Sequence, residues 1–261
     1  MERNDVIQIQ GIHKRFGSNH VLQGVDLTIE KGETLVIIGR SGCGKSVLLK
    51  HIMGILEPEE GDIKIDGQSV LTMPPDERDR FRLQLGMLFQ GAALFDSLTV
   101  LGNVGFSLYE HTKLPEEVIC RKVREKLGLV GLRDVEHLMP ASLSGGMKKR
   151  VGLARAICSE PKIILYDEPT TGLDPINADV INDLILRMQE QLKVVSIVVT
   201  HDMTSAYKVA DRIAMLYDGK IIGVGTPDEI RNSKDPVIQQ FITGSAHGPI
   251  TDKEKKETEL L

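Results

Sequence analysis

Residues 39–46 read Gly39-Arg40-Ser41-Gly42-Cys43-Gly44-Lys45-Ser46, with Thr34-Leu35-Val36-Ile37-Ile38 before them and Val47, Leu48, Ile52 and Ile55 after. The short β-branched run predicts a buried strand over 34–38, and the apolar spacing predicts a helix over 46–55. A glycine-rich turn between strand and helix lets backbone N–H groups point inward at an anion, and the helix N-terminus adds partial positive charge. In that setting Lys45 reaches the β- and γ-phosphates of a bound nucleotide and the Ser46 hydroxyl ligates Mg²⁺. A glycine-rich turn that matched by chance would lack this flanking strand and helix. The loop Gly39, Arg40, Ser41, Gly42, Cys43, Gly44, Lys45 and Ser46 is therefore a nucleotide-binding element. Arg40 and Cys43 sit where many side chains fit and receive no chemistry of their own, although Cys43 should be alkylable when the site is empty.

Working outward, Ile163-Ile164-Leu165-Tyr166 is an apolar run that ends in Asp167-Glu168. Runs of this kind are covered on both faces in parallel sheets, and ligands gather at the carboxyl ends of their strands. Asp167 is placed to hold Mg²⁺ and Glu168 to orient or deprotonate the attacking water as a general base. An acidic pair alone would more simply cap a helix. The phosphate loop upstream and His201 downstream favour the catalytic reading. His201 ends the apolar run 194–200, the next strand along, which puts its ring near the γ-phosphate.

Strand, helix (178–192) and strand in this order mean a parallel sheet with helices on its faces. Short strands over 6–9 and 25–29, and an alternating one over 61–67, come earlier and read as antiparallel. Pro115-Glu116-Glu117 and Ser144 each start a helix in the middle of the chain. The fold class is α/β: a P-loop, RecA-like, mostly parallel sheet with an N-terminal antiparallel β subdomain and a helical insert.

Leu143-Ser144-Gly145-Gly146-Met147 makes a second glycine-rich helix start, and so a second anion-binding end. One chain does not need two such ends for one triphosphate. Two chains arranged head to tail do, each lending Ser144, Gly145 and Gly146 to the nucleotide of the other. At this point the sequence resembles the ABC transporter ATPase family over nearly its whole length. The resemblance rests on the phosphate loop, Leu143 to Met147, Asp167-Glu168, Thr171-Gly172-Leu173-Asp174 and His201. It implies that Gln90 links Mg²⁺ and the attacking water to a membrane partner, that Phe16 stacks on adenine, and that Asp174 lies by the nucleotide. Plain core packing is the lesser alternative for Phe16. Met147 departs from the family's usual glutamine; a thioether is at best a weak acceptor, so a side-chain hydrogen bond is lost there.

The resemblance also implies a single ABC ATPase domain over 1–243, with its core at about 1–90 and 157–243 and a helical subdomain at about 91–156. Residues 244–261, rich in Lys and Glu, read as a tail without fixed structure. Residues 86–98, Met147, Gly172 to Ile176 and the stretch from Gln240 through Pro249 are similar to the ATPase subunit of Mla-type lipid transport systems. That similarity implies a homodimer bound to two permease subunits at the cytoplasmic face of the inner membrane, with an MCE-domain protein, a STAS-like regulator and phospholipid as cargo. An importer of other cargo such as amino acids, an ABC-type ATPase outside transport, and a nucleotide switch without turnover are the alternatives. Glu168 speaks against the last, and the absence of heptads or a second cassette against the middle one.

Composition narrows the rest. The 261 residues are 41% hydrophobic, enough for a full core, and carry a net charge of -5, which leaves no electrostatic footprint for nucleic acid. Aromatics are 4% with no Trp, too few for a base-stacking platform. The N-terminus lacks a basic stretch followed by an apolar core and so reads as having no secretory signal. The longest apolar runs fall far short of the roughly 20 residues a spanning helix needs. Cys43, Cys120 and Cys158 have neither metal-ligand spacing nor an even count, which fits a reducing compartment.

Overall fold

The computed structural model describes residues 5–253. The chain opens with two long strands, β1 (Asp5–Phe16) and β2 (Asn19–Glu30), then the buried strand β3 (Thr34–Ile38), helix α1 (Lys45–Ile52), β4 (Glu60–Ile65), β5 (Gln68–Ser69), α2 (Pro75–Arg82) and β6 (Leu85–Leu88). Three helices follow, α3 (Val100–His111), α4 (Glu116–Leu129) and α5 (Gly145–Cys158). The chain then alternates β7 (Ile163–Asp167), α6 (Pro175–Leu192), β8 (Val195–Thr200), α7 (Met203–Val209) and β9 (Arg212–Tyr217), and ends with β10 (Lys220–Gly225), α8 (Pro227–Arg231) and α9 (Pro236–Thr243).

The strands form a four-stranded sheet in the order β2-β1-β4-β5 and a six-stranded sheet in the order β10-β9-β3-β8-β7-β6. In the second, β9, β3, β8, β7 and β6 run parallel and only β10 is antiparallel. The mostly parallel core with a separate antiparallel β layer is the class the sequence predicts. Because side chains alternate across a strand, β3, β7 and β8 feed two cores. Val36, Ile38, Ile164, Tyr166 and Val198 face α3 to α6, whereas Leu35, Ile37, Ile163, Leu165 and Ile197 face α1 and the antiparallel sheet. This is why those strands read as unbroken apolar runs.

Ile157, fully buried on α5, belongs to the first of these cores. Ile157→Ala removes its side chain from a packed site and should lower the unfolding free energy by about 3 kcal/mol. A denaturant titration checks this, with the slope unchanged and the midpoint lower.

Several boundaries differ from the sequence reading for physical reasons. The helix read over 46–55 stops at Ile52, because Gly54 takes a left-handed φ of 64° and Ile55 is left 54% exposed. Strands β1 and β2 are twelve residues each, more than twice the length expected. Register shifts on β1, such as that between Ile9 and Ile12, break its alternation. Helix α3 has no obvious periodic signal because it carries Gly102 and Gly105; Thr99 caps it, its hydroxyl accepting from Gly102 N at 3.2 Å. A Cβ on Gly105 would meet the Tyr109 ring at 2.9 Å, so close packing demands the glycine.

The expectation that the chain lacks structure from residue 244 onward is corrected for residues 244–253. The buried Gln240 side chain accepts from Ile250 N at 2.7 Å and donates to Ser245 O at 3.2 Å and to Thr251 Oγ1 at 3.1 Å. Ile250 is itself buried, and Lys253 pairs with Asp218 at 2.8 Å. The anchors sit in α9, so the composition of the tail does not reveal them. Residues 254–261 lie outside the described residues.

Candidate active site

The carboxyl ends of the parallel strands bring four predicted segments together. β3 delivers the phosphate loop, β6 Gln90, β7 Asp167-Glu168 and β8 His201. Phe16, Ser41, Gly42, Gly44, Lys45, Ser46, Gln90, Glu168 and His201 share a cavity of about 310 Å³. A larger cavity, about 850 Å³, lies at the opposite ends of the strands between Lys31, Phe81, Lys162 and Lys193 and contains none of these groups. Chemistry, not size, singles out the smaller one.

The loop's glycines do specific work. Gly44 caps α1 in the left-handed region at φ 107°, and a Cβ on Gly39 would collide with the Leu216 carbonyl and sit 2.8 Å from Cys43 Sγ. Lys45 is buried; its Nζ donates to Gly39 O at 2.7 Å and Arg40 O at 3.0 Å and stands 3.5 Å from Glu168 Oε1. The Ser46 hydroxyl donates to Asp167 Oδ1 at 2.9 Å. Burial raises the Asp167 carboxyl above its ordinary value, the Ser46 hydrogen bond opposes this, and the Glu168 charge adds to it. A desolvated carboxylate beside a hydroxyl favours a small hard cation. Among the described residues no cluster of three His, Cys, Asp or Glu could hold a metal unaided. Mg²⁺ shared between one carboxylate, one hydroxyl and nucleotide phosphates fits that donor set.

Glu168 is 8% exposed and held on several sides. Its Oε2 accepts from Thr171 Oγ1 at 3.1 Å and Thr200 Oγ1 at 3.4 Å, and His201 Nδ1 lies 2.9 Å away. Its backbone has φ 48°, the left-handed region that a non-glycine residue enters only when its surroundings hold it there. The sequence gives Thr200 no role and quotes Thr171 only as part of the motif Thr171-Gly172-Leu173-Asp174. Their hydroxyls look like ordinary loop and strand residues until the fold aims them at one carboxylate.

Cys43 is part-buried, and that burial raises its thiol above the ordinary value, the nearby Lys45 charge opposing the shift. Only the thiolate is nucleophilic, so a raised value means less of it at neutral pH. Cys43 should therefore alkylate more slowly than an exposed thiol at pH 7, accelerate as pH rises, and be slowed further by saturating ATP. Peptide mapping after timed N-ethylmaleimide treatment checks all three.

Phe16, at the tip of the β1–β2 hairpin, is 49% exposed with Lys14 Nζ 5.6 Å from its ring centre. That exposure takes it out of the core and leaves one ring face available to a flat ligand. Gly39, Arg40, Cys43 and Asp167 do not line the cavity themselves, and two further predicted groups do not either. Ser144 caps α5, its hydroxyl accepting from Met147 N at 3.3 Å, and neither it nor Gly145 or Gly146 lines the phosphate cleft. Gly146 packs against α6, where a Cβ would lie 2.9 Å from Asn177 Oδ1. Asp174 caps α6, accepting from Ile176 N at 3.0 Å and Asn177 N at 3.1 Å, and does not line the cleft of its own chain either. The Asn177 side chain is the largest cause of its lowered carboxyl.

The model of the ABC transporter family matches residues 22–171. The chain belongs to the ABC transporter family. It is an ATP-binding cassette and an ATPase. A Haemophilus influenzae relative, the "Intermembrane phospholipid transport system ATP-binding protein MlaF", is 41% identical over 95% of this chain and 94% of its own. A Mycobacterium tuberculosis relative, the "Probable ribonucleotide transport ATP-binding protein mkl", is 42% identical over 96% of this chain and 70% of its own. Among solved structures, the cassette MJ0796, described as dimeric, in a post-hydrolysis state and bound to ADP and Pi, superposes with a TM-score of 0.78 at 31% identity over 85% of this chain and 98% of that one. No helix among the described residues of the cassette is long and apolar enough to cross a membrane.

Proposed function

We propose that the cassette is the ATPase of a phospholipid transport system of the Mla type, working as a head-to-tail homodimer on two copies of a membrane permease. The observation that carries the composite site is the placement of Ser144 to Gly146. They form a glycine-rich helix start, exposed at Ser144 and Gly145, outside the phosphate cleft of their own chain, so a second copy is the natural recipient of their N–H groups. The lipid assignment is supported by the MlaF relative, aligned over nearly both full lengths.

In this reading ATP enters beside Phe16, which stacks on adenine, and Lys45 exchanges its loop carbonyls for phosphate oxygens. Ser46 and Asp167 would hold Mg²⁺, which neutralises phosphate charge, and Gln90 completes that side of the site. Glu168 accepts a proton from the attacking water while Thr171, Thr200 and His201 keep its carboxylate aimed. Ser144, Gly145, Gly146 and Asp174 act from the partner copy. Gln90 and the exposed Phe89 and Phe95 beside it form the face for the permease, with the helices between 91 and 156 as the docking subdomain. An MCE-domain protein and a STAS-like subunit complete the complex, and the cassette sits peripherally on the cytoplasmic face of the inner membrane.

Ribonucleotide cargo is the second reading, favoured by the mkl relative's name; an importer for amino acids would keep the same ATPase. Affinity purification of the tagged chain from its own membranes in mild detergent, with mass spectrometry of proteins and lipids, separates them. Co-purification of a multi-span permease, an MCE-domain protein and phospholipid is the expected result. A different permease with a soluble binding protein would overturn the lipid assignment and leave the ATPase standing.

A further inference from the structure

Lys149 lies on α5, five residues beyond Ser144, and is 5% exposed. Its Nζ donates to the backbone carbonyl of Gln90 and, at 3.1 Å, to the backbone carbonyl of Glu168. Among the described residues no carboxylate forms an ion pair with it, although the charges of Asp167 and Glu168 favour its protonated form against the larger effect of burial, which lowers its value. A buried ammonium is costly unless fixed partners satisfy it. Here both of its hydrogen-bond partners are main-chain oxygens at the ends of neighbouring strands, just after β6 and β7.

One side chain thus joins three parts of the machinery: the helix that begins with Ser144, the turn that carries Gln90, and the backbone of Glu168. Glu168 sits in the left-handed region at φ 48°, where its own side chain is disfavoured. Its N–H is anchored to Val199 O at 2.9 Å and its carbonyl to Lys149. Two backbone anchors on one residue over-determine its direction, which is what holding a strained carboxylate in aim requires.

We propose that Lys149 is a positioning residue: it holds the Glu168 backbone in its left-handed turn and ties it to the Gln90 turn and to α5, so that a shift at either reaches the carboxylate directly. This rests on the reading of Glu168 as the base. Lys149 does not itself line the cavity and meets two of its lining residues, Gln90 and Glu168, only at their backbone carbonyls, so its loss should spare nucleotide affinity.

The experiment compares Lys149→Met, which removes the donors, with Lys149→Gln, which keeps a donor, alone and combined with Glu168→Gln, in the full chain. Labelled-ATP binding and single-turnover hydrolysis are measured for each. The expected result for Lys149→Met is ATP affinity within about threefold of the parent, hydrolysis slower by about 10- to 100-fold, and partial recovery in Lys149→Gln. Added to Glu168→Gln, Lys149→Met should slow hydrolysis by less than about twofold, because the group it positions is already disabled. A full multiplicative loss in the double variant, an unchanged rate in Lys149→Met, or a loss of ATP binding equal to the loss of rate would each overturn the proposal. If Glu168→Gln alone hydrolysed at the parent rate, the base reading itself would fail, a separate outcome visible in the same series.

Discussion

Glu168→Gln should lower ATP turnover by about 10² to 10⁴-fold, the usual contribution of a positioned general base, with ATP affinity within about threefold of the parent. Glutamine has nearly the same shape and can still accept from Thr171 and Thr200, whose hydroxyls lie 3.1 and 3.4 Å from Oε2. It cannot take a proton, and it loses the charge that faces Lys45 at 3.5 Å and His201 at 2.9 Å. Binding persists because the loop glycines, Lys45 and Ser46 are untouched. Single-turnover hydrolysis of labelled ATP reads the rate, and filter binding reads the affinity. Turnover at the parent rate would remove Glu168 from the role of base and leave His201 as the nearest other group.

Ser144→Arg should lower hydrolysis by about 100-fold, comparable to losing one preorganised donor from a transition-state site, with nucleotide binding by the isolated chain unchanged. Losing the N-cap costs α5 about 1 kcal/mol, too little to unfold a chain with two extensive cores. The substitution places a long charged side chain on an exposed helix start that does not line the phosphate cleft of its own chain. A defect in hydrolysis without one in binding is what a residue serving another copy produces. Loss of binding by the isolated chain would place Ser144 in its own cleft and contradict the head-to-tail arrangement.

The sequence makes legible those parts of the molecule where a local pattern and a chemical need coincide. Strand β3, the loop 39–46 and the end of β7 are readable because a strand covered on both faces must be apolar throughout and a phosphate cradle must be glycine-rich. Helix α5 is readable from its Ser144 cap. What the sequence hides depends on long-range contact. Thr200 and Thr171 acquire meaning only when β8 and the turn after β7 meet at one carboxylate. Lys149 looks like one of three consecutive basic residues on a solvated helix face, yet α5 buries it against two carbonyls. Helix α3 is masked by glycines needed for close packing, and the order of residues 244–253 depends on Gln240 in the preceding helix. The absence of Ser144 and Asp174 from the cleft of their own chain is the opposite case: the sequence predicts two anion sites, and the fold keeps them apart.

The most direct test of the composite site is sedimentation velocity of the Glu168→Gln chain at micromolar concentration, with saturating ATP and Mg²⁺ and again with ADP. A species of twice the 28.8 kDa chain mass in ATP, reverting to the single chain in ADP and absent when Ser144→Arg is added, is the predicted result. A single chain that stays monomeric with ATP bound would contradict the account, because Ser144, Gly145 and Gly146 would then have no nucleotide to close upon.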